Sequence, residues 1–427
     1  MGNGVNMNKT YFFRKKLFAV IFLLIVYIYS GFNLYHTNGI LLEAGKSLVE
    51  SLGSLGTILP ESLGTVPPVT PQSLENSINS NMLFRMNLIE IYGFVQVLLD
   101  KREFNNFTSI KDESGSLHYS TFYRERSDDY RENALRLRRL QDYVEKYGTK
   151  VMLVITPSKY NRKYVRLRMG LSPNDPDSVV DELLFYANQF GITTLDLRDS
   201  FPNNELDYPH TFFKTDHHWT VPAAFYASKV LRDKMNEEYG LDLDPDGYYT
   251  DHEKSYDSVT YHGGMLGYMG RKTGAVFSGV DDFTAYWPRF EGHFVRETMT
   301  NNGKIERLSG SFEDVFINKD ALVDRRDIYS NSQYSLYLNE LRVFESIVNE
   351  DEPDGPEIFM IRDSYFSPVI SFMAPYCSRI DAMWSLEESD AIDIETYVKE
   401  NRFDYIIMEV YPYNIEDAAF NFFKGEK

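Results

Sequence analysis

Four consecutive residues, Asp216-His217-His218-Trp219, bring a carboxylate, two imidazoles and an indole together just ahead of a strong helical pattern. A second run, Ile361-Arg362-Asp363-Ser364-Tyr365-Phe366, lies 146 residues beyond His218. A serine, a histidine and an acid are the minimum set for an activated hydroxyl nucleophile. The D-x-H spacing in a tight turn lets the Asp216 carboxylate reach the imidazole two residues on and select its tautomer. His218 is then the candidate base for Ser364, and Asp216 the group that stabilises the imidazolium. Ser364 follows the apolar run 357–361 and precedes a helical pattern, so it reads as a strand-to-helix turn. Unpaired N–H groups and the positive end of a helix dipole suit an oxyanion there. The plainer role for a serine at that position is a helix cap. His217 is expected to point the other way and to be structural. Trp219 is a candidate wall of the site or stacking surface for a sugar, with helix-entry packing as the alternative.

Other chemistries fit less well. Asp216, His217 and His218, with His210 close in sequence, are the rival metal set. Neighbouring histidines rarely bind one ion, and no HExxH or H-x3-H spacing occurs, so neither metal nor cofactor is expected. The single cysteine, Cys377, excludes an intrachain disulfide and a cysteine-based zinc site. The glycine-rich stretch Tyr261 to Gly274 fails as a nucleotide loop, because Arg271 stands where a phosphate-binding loop needs glycine directly before Lys272. It reads as a flexible loop at the active site or, equally, as a plain turn-rich insertion. Lys159, in the Pro157-Ser158-Lys159 turn after an apolar strand, is a candidate contact to substrate or oxyanion.

The elements that must position these groups alternate. Strand patterns cover 150–156, 192–197, 357–361, 379–383 and 404–410. Helical patterns cover 82–99, 128–147, 177–190, 221–239, 334–349, 365–375 and 392–401. The alternation implies a parallel sheet with helices on both faces, in one α/β domain spanning 81–427. The pattern lapses across about 241–330, which reads as a loop-rich or β-rich insertion.

A net charge of −19 disfavours nucleic acid as a partner, since a phosphate-binding face needs clustered Lys and Arg. Lys9, Arg14, Lys15 and Lys16 precede an uncharged stretch from Leu17 to Tyr35. Residues 1–36 are therefore expected to be a cytoplasmic basic flank and a transmembrane anchor in a single-pass protein, with a removed signal segment as the alternative; either way the remainder is exported. Residues 37–80, rich in Gly, Pro and Ser, read as a flexible stalk.

Asp216-His217-His218-Trp219 and the turn at Arg362 to Tyr365, together with Pro157-Ser158-Lys159, resemble the DHHW family. That family is similar to the SGNH-hydrolase-like acetyltransferases of alginate O-acetylation. The resemblance covers roughly 85–420 and implies a three-layer SGNH-like sandwich, with Ser364, His218 and Asp216 catalytic. Trp219, Lys159, Tyr365 and Arg362 are the candidate substrate contacts. The resemblance further implies a cell-surface polysaccharide acceptor and acetyl groups delivered by a membrane-bound O-acyltransferase. An esterase using the same three residues, or a non-catalytic polysaccharide-binding factor, are the alternatives. Two departures stand out: Arg362 replaces the glycine of a Gly-Asp-Ser motif, and the Gly and Asn of an ordinary SGNH oxyanion hole are unassigned.

Overall fold

The computed structural model describes residues 27, 28, 31, 85–104, 106–121, 130–203, 206–299, 303–322, 328, 329, 332–338, 343–385, 392–415 and 417–423. The chain divides into two compact units, Met1–Ile91 and Tyr92–Lys427. In the first, the described residues are Tyr27, Ile28, Gly31 and the opening residues of helix α1 (Arg85–Leu98). The expected anchor and stalk otherwise lie outside the described residues. Among those described, no helix is long and apolar enough to cross a membrane.

The second unit begins within α1. A small antiparallel sheet follows, of β1 (Glu103–Phe104), β2 (Ser109–Lys111) and β3 (Leu117–Tyr119). Then come α2 (Tyr130–Glu145), β4 (Lys150–Ile155), α3 (Asp177–Gln189), β5 (Thr193–Asp196) and α4 (Val221–Tyr239). The hairpin of β6 (Tyr256–Met265) and β7 (Asp281–Pro288) encloses the short helix α5 (Tyr268–Thr273). After β8 (Phe294–Met299), β9 (Ile305–Gly310) and β10 (Phe344–Asn349), the chain runs through β11 (Glu357–Arg362), α6 (Phe366–Met373), β12 (Arg379–Trp384), α7 (Ile394–Glu400) and β13 (Tyr405–Val410).

The main sheet has eight strands in the order β5-β4-β13-β11-β12-β10-β8-β9. Strand side chains alternate faces, and both faces are covered. On β4, Met152 and Val154 enter the core shared with α4 and α6, whereas Val151, Leu153 and Ile155 enter the core shared with α2, α3 and α7. The result is a three-layer α/β sandwich.

Two expectations need correction. The sheet is mixed: β5, β4, β13, β11 and β12 run parallel, but β10, β8 and β9 add to its edge antiparallel. The helix expected over 334–349 does not form. Gln333–Leu336 is a single 3-10 turn, and Phe344–Asn349 is strand β10. The misleading residue is Glu345, which breaks an apolar strand pattern yet is fully buried between Arg296 and Arg362. A charge neutralised across strands contributes to a core that hydropathy cannot register.

Candidate active site

The loop carrying Asp216 is shaped locally. Phe212 and Trp219 form an antiparallel bridge, and the Phe213 N–H donates to the His218 carbonyl, so the residues between them project as a tight turn. Thr220 then caps α4, its hydroxyl accepting from the Ala223 N–H. Asp281, at the start of β7, clamps the turn from outside by accepting from the Lys214 N–H, the Thr215 N–H and the Thr215 hydroxyl at 2.7, 2.8 and 2.6 Å. The Gly267 N–H donates to Thr215 Oγ1 at 2.8 Å and the Tyr268 N–H to Asp216 Oδ2 at 2.6 Å. The glycine-rich stretch therefore braces the acid through its backbone. A Cβ at Gly267 would fall against Asp216, 2.5 Å from Oδ2, and 2.7 Å from the Thr215 carbonyl oxygen, so only glycine fits there.

Ser364 sits beyond the carboxyl end of β11. Its turn is fixed by Asp363, whose carboxylate accepts from the Tyr365 N–H (2.9 Å), the Tyr411 N–H (3.0 Å) and Asn414 Nδ2 (2.9 Å). The Asp363 N–H donates to Glu409 Oε2 at 2.8 Å. Glu409 is buried, and that burial together with the neighbouring Asp363 charge pushes its carboxyl well above the usual carboxylate range.

The two pieces meet at the imidazole. His218 Nε2 lies 2.7 Å from Ser364 Oγ, and His218 Nδ1 lies 2.7 Å from Asp216 Oδ1. A carboxylate only accepts, so Nδ1 carries the ring proton and Nε2 is left as the acceptor for the serine hydroxyl. Burial pushes the His218 pKa down, and the neighbouring His217 charge adds to this while Asp216 opposes it. Burial pushes the Asp216 carboxyl up, but the neighbouring His218 and His217 rings, with the hydrogen bond from His218, outweigh it and hold it well below the usual range. An ionised acid, a neutral base and a half-exposed hydroxyl result, which is what general-base activation of a nucleophile requires. The Ser364 backbone N–H has no hydrogen-bond partner among the described residues. Asp216, His217 and His218 also offer one ligand atom each within 4.8 Å of one another, but the relay already engages two of those three residues.

Residues 117–277 match the family model described as the SGNH hydrolase-like domain of the acetyltransferase AlgX. Over those residues the α/β fold is SGNH-like. The match includes Asp216 and His218 but ends before Ser364. Bacillus cereus PatB1 with a sulfonyl adduct is similar in structure, at 14% identity and a TM-score of 0.59, over 75% of this chain and 99% of that one. Unmodified PatB1 gives 14% identity and a TM-score of 0.56 over 74% and 99%. A DHHW family protein from Eubacterium siraeum gives 14% identity and a TM-score of 0.49 over 73% and 96%. At such identities the likeness is one of fold. No curated protein matches the chain.

The SGNH-like domain puts the four expected substrate contacts elsewhere. Trp219 is fully buried, its Nε1 donating to the Tyr334 hydroxyl at 3.0 Å, so it packs beneath the site and presents no face to a sugar. Arg362 is fully buried in the ion pair with Glu345 and reaches Ser367 Oγ at 3.2 Å. Lys159 is buried too, its Nζ donating to the carbonyls of Lys214 (2.9 Å) and Asp216 (2.8 Å). Burial pushes the Lys159 pKa down to about 8 against the pull of Asp281 and Asp216. It supports the Asp216 turn from below. Tyr365 is buried with its hydroxyl donating to the His217 carbonyl. In each case the side chain is buried against a partner within the domain.

His217 does not turn away. Its ring lies 3.9 Å from that of His218, and its Nδ1 approaches Asp216 Oδ1 at 3.2 Å without hydrogen-bond alignment. Sequence reasoning missed Tyr334, which stacks on His218 at 3.9 Å and 17°, and Asp281. Only three-dimensional contact reveals either one.

Proposed function

We propose that this chain is an extracytoplasmic O-acetyltransferase that moves an acetyl group through Ser364 to a hydroxyl of a cell-surface polysaccharide. The observation that carries the reading is the unbroken relay from Asp216 through His218 to a half-exposed Ser364, with both hydrogen bonds at 2.7 Å. In the first step Ser364 Oγ bonds to the acetyl carbonyl carbon while His218 Nε2 takes the hydroxyl proton. The donor's leaving group then departs with that proton. In the second step a sugar hydroxyl gives its proton to His218 and attacks the acyl-serine ester, and Ser364 Oγ leaves with the proton returned. The Ser364 N–H is available for the oxyanion. Two likenesses support the reading: the acetyltransferase family model over 117–277, and a structural neighbour captured with a sulfonyl adduct. In this proposal a membrane-bound O-acyltransferase supplies the acetyl group, and residues 1–36 anchor the chain in the membrane.

The test is intact-mass and peptide mapping after treatment with phenylmethylsulfonyl fluoride. A single adduct on Ser364, abolished in Ser364→Ala and slowed in His218→Ala, is expected. An adduct elsewhere, or none on folded protein, overturns the mechanism. Comparing acetyl transfer to an oligosaccharide with acetyl release to water then separates transferase from esterase.

A further inference from the structure

Helix α1 is amphipathic the wrong way round for a surface helix. Its inward face in the second unit is Gly93 and Gln96. Gly93 allows close approach, since a Cβ there would lie 2.7 Å from the Thr273 carbonyl oxygen and 3.2 Å from Phe277 Cβ. Gln96 is buried, its Oε1 without a hydrogen-bond partner among the described residues. The large apolar residues point outward: Tyr92, Phe94, Val95, Val97, Leu98 and Leu99 are all exposed. A contiguous apolar face of this kind marks a surface that something apolar covers.

Charge identifies the cover. The protein carries −19 overall, yet the loop 161–169 beside the end of α1 holds Arg162, Lys163, Arg166 and Arg168 with no acid, and all four are exposed. The loop is fastened to the helix end by Arg168 on Asp100 at 2.6 Å, and to the small sheet by the Glu113 N–H on the Arg166 carbonyl. Met169, at its tip, is wholly exposed, and Lys101 lies on the helix side. Arg162 is engaged with Asp175 and Lys101 with Glu103, which leaves Lys163 and Arg166 without an acidic partner among the described residues. An apolar helix face flanked by cations in an otherwise acidic protein matches the interface of an anionic bilayer.

We propose that α1 and the 161–169 loop form a membrane-docking face that lies on an anionic lipid surface. This inference is independent of the acyl-transfer reading. It has a consequence for the site, because the small sheet next to α1 carries Tyr119, whose ring lies 5.8 Å from that of His217. A docked face would hold the Ser364 side of the domain in a defined orientation to the bilayer.

The experiment uses the full chain reconstituted into vesicles of phosphatidylcholine with or without phosphatidylglycerol. Cys377 is the only cysteine and is buried, so a cysteine placed by Val97→Cys can be labelled selectively with an environment-sensitive fluorophore. Phe185→Cys, on α3 in the opposite layer, is the control. Docking predicts that the Val97 probe is quenched by spin-labelled lipid and shielded from aqueous iodide, and that the control behaves in reverse. Lys163→Glu or Arg166→Glu should lower the docked-to-undocked ratio about fivefold per charge removed, and only in phosphatidylglycerol vesicles. A Val97 probe open to iodide in both vesicle types overturns the proposal. So does a probe shielded from iodide but untouched by lipid quencher, which would mean that another protein surface, such as a second copy, covers the helix. Sulfonylation of Ser364, measured on the same samples, reports the acyl-transfer reading separately.

Discussion

Replacing Asp216 by Asn is the sharpest perturbation of the relay, because it keeps the side chain's shape while reversing one atom's hydrogen-bonding sense and removing the charge. Asp216 Oδ1 accepts from His218 Nδ1 at 2.7 Å and Oδ2 from the Tyr268 N–H at 2.6 Å. An amide offers one acceptor and one NH2. If its oxygen stays on Tyr268, the NH2 donates to Nδ1 and forces the ring proton onto Nε2, which then cannot accept from Ser364. If its oxygen turns to His218, NH2 meets the Tyr268 N–H donor to donor. The charge term is large as well: a carboxylate and an imidazolium 2.7 Å apart attract by about 6 kcal/mol at an effective dielectric of about 20. At about 1.4 kcal/mol per decade, that corresponds to a loss of about 10⁴ in rate, the size seen for the same substitution in the serine protease triad. The assay is the rate of Ser364 sulfonylation together with the acyl-enzyme burst from p-nitrophenyl acetate, at one neutral pH. If Asp216→Asn stays within tenfold of the parent in both rates while unfolding as cooperatively as the parent, the base is not oriented by this acid and the mechanism is wrong.

Three further outcomes are expected. Gly267→Ala drives a methyl into Asp216 and the Thr215 carbonyl, so it should lower the sulfonylation rate about 10²-fold by displacing the acid, whereas Gly303→Ala at an open turn should not. The pH profile follows neutral His218: its lowered pKa places the acid limb below 6.5, and His217→Asn, which removes a charge that depresses it, should move that limb to higher pH. Glu345→Gln leaves Arg296 and Arg362 buried without their counter-charge and should cost about 3–5 kcal/mol in urea unfolding, by a fall in midpoint at unchanged slope.

What the sequence determined by itself was whatever depends on neighbours along the chain. The contact between Asp216 and the His218 ring spans two residues, so spacing and a tight turn suffice for it. The strands at Lys150–Ile155 and Glu357–Arg362 and the helix at Val221–Tyr239 are written in continuous apolar runs or a helical repeat closed by Gly240. Tertiary structure decided everything that needs two distant segments. It set Ser364 against His218, put Tyr334 under the ring and added β10, β8 and β9 to the sheet antiparallel. It also turned Lys159, Arg362 and Trp219 inward. The physical reason is common to all of these. A polar side chain is buried only when a partner elsewhere satisfies it, and where that partner arrives depends on the fold of the whole domain.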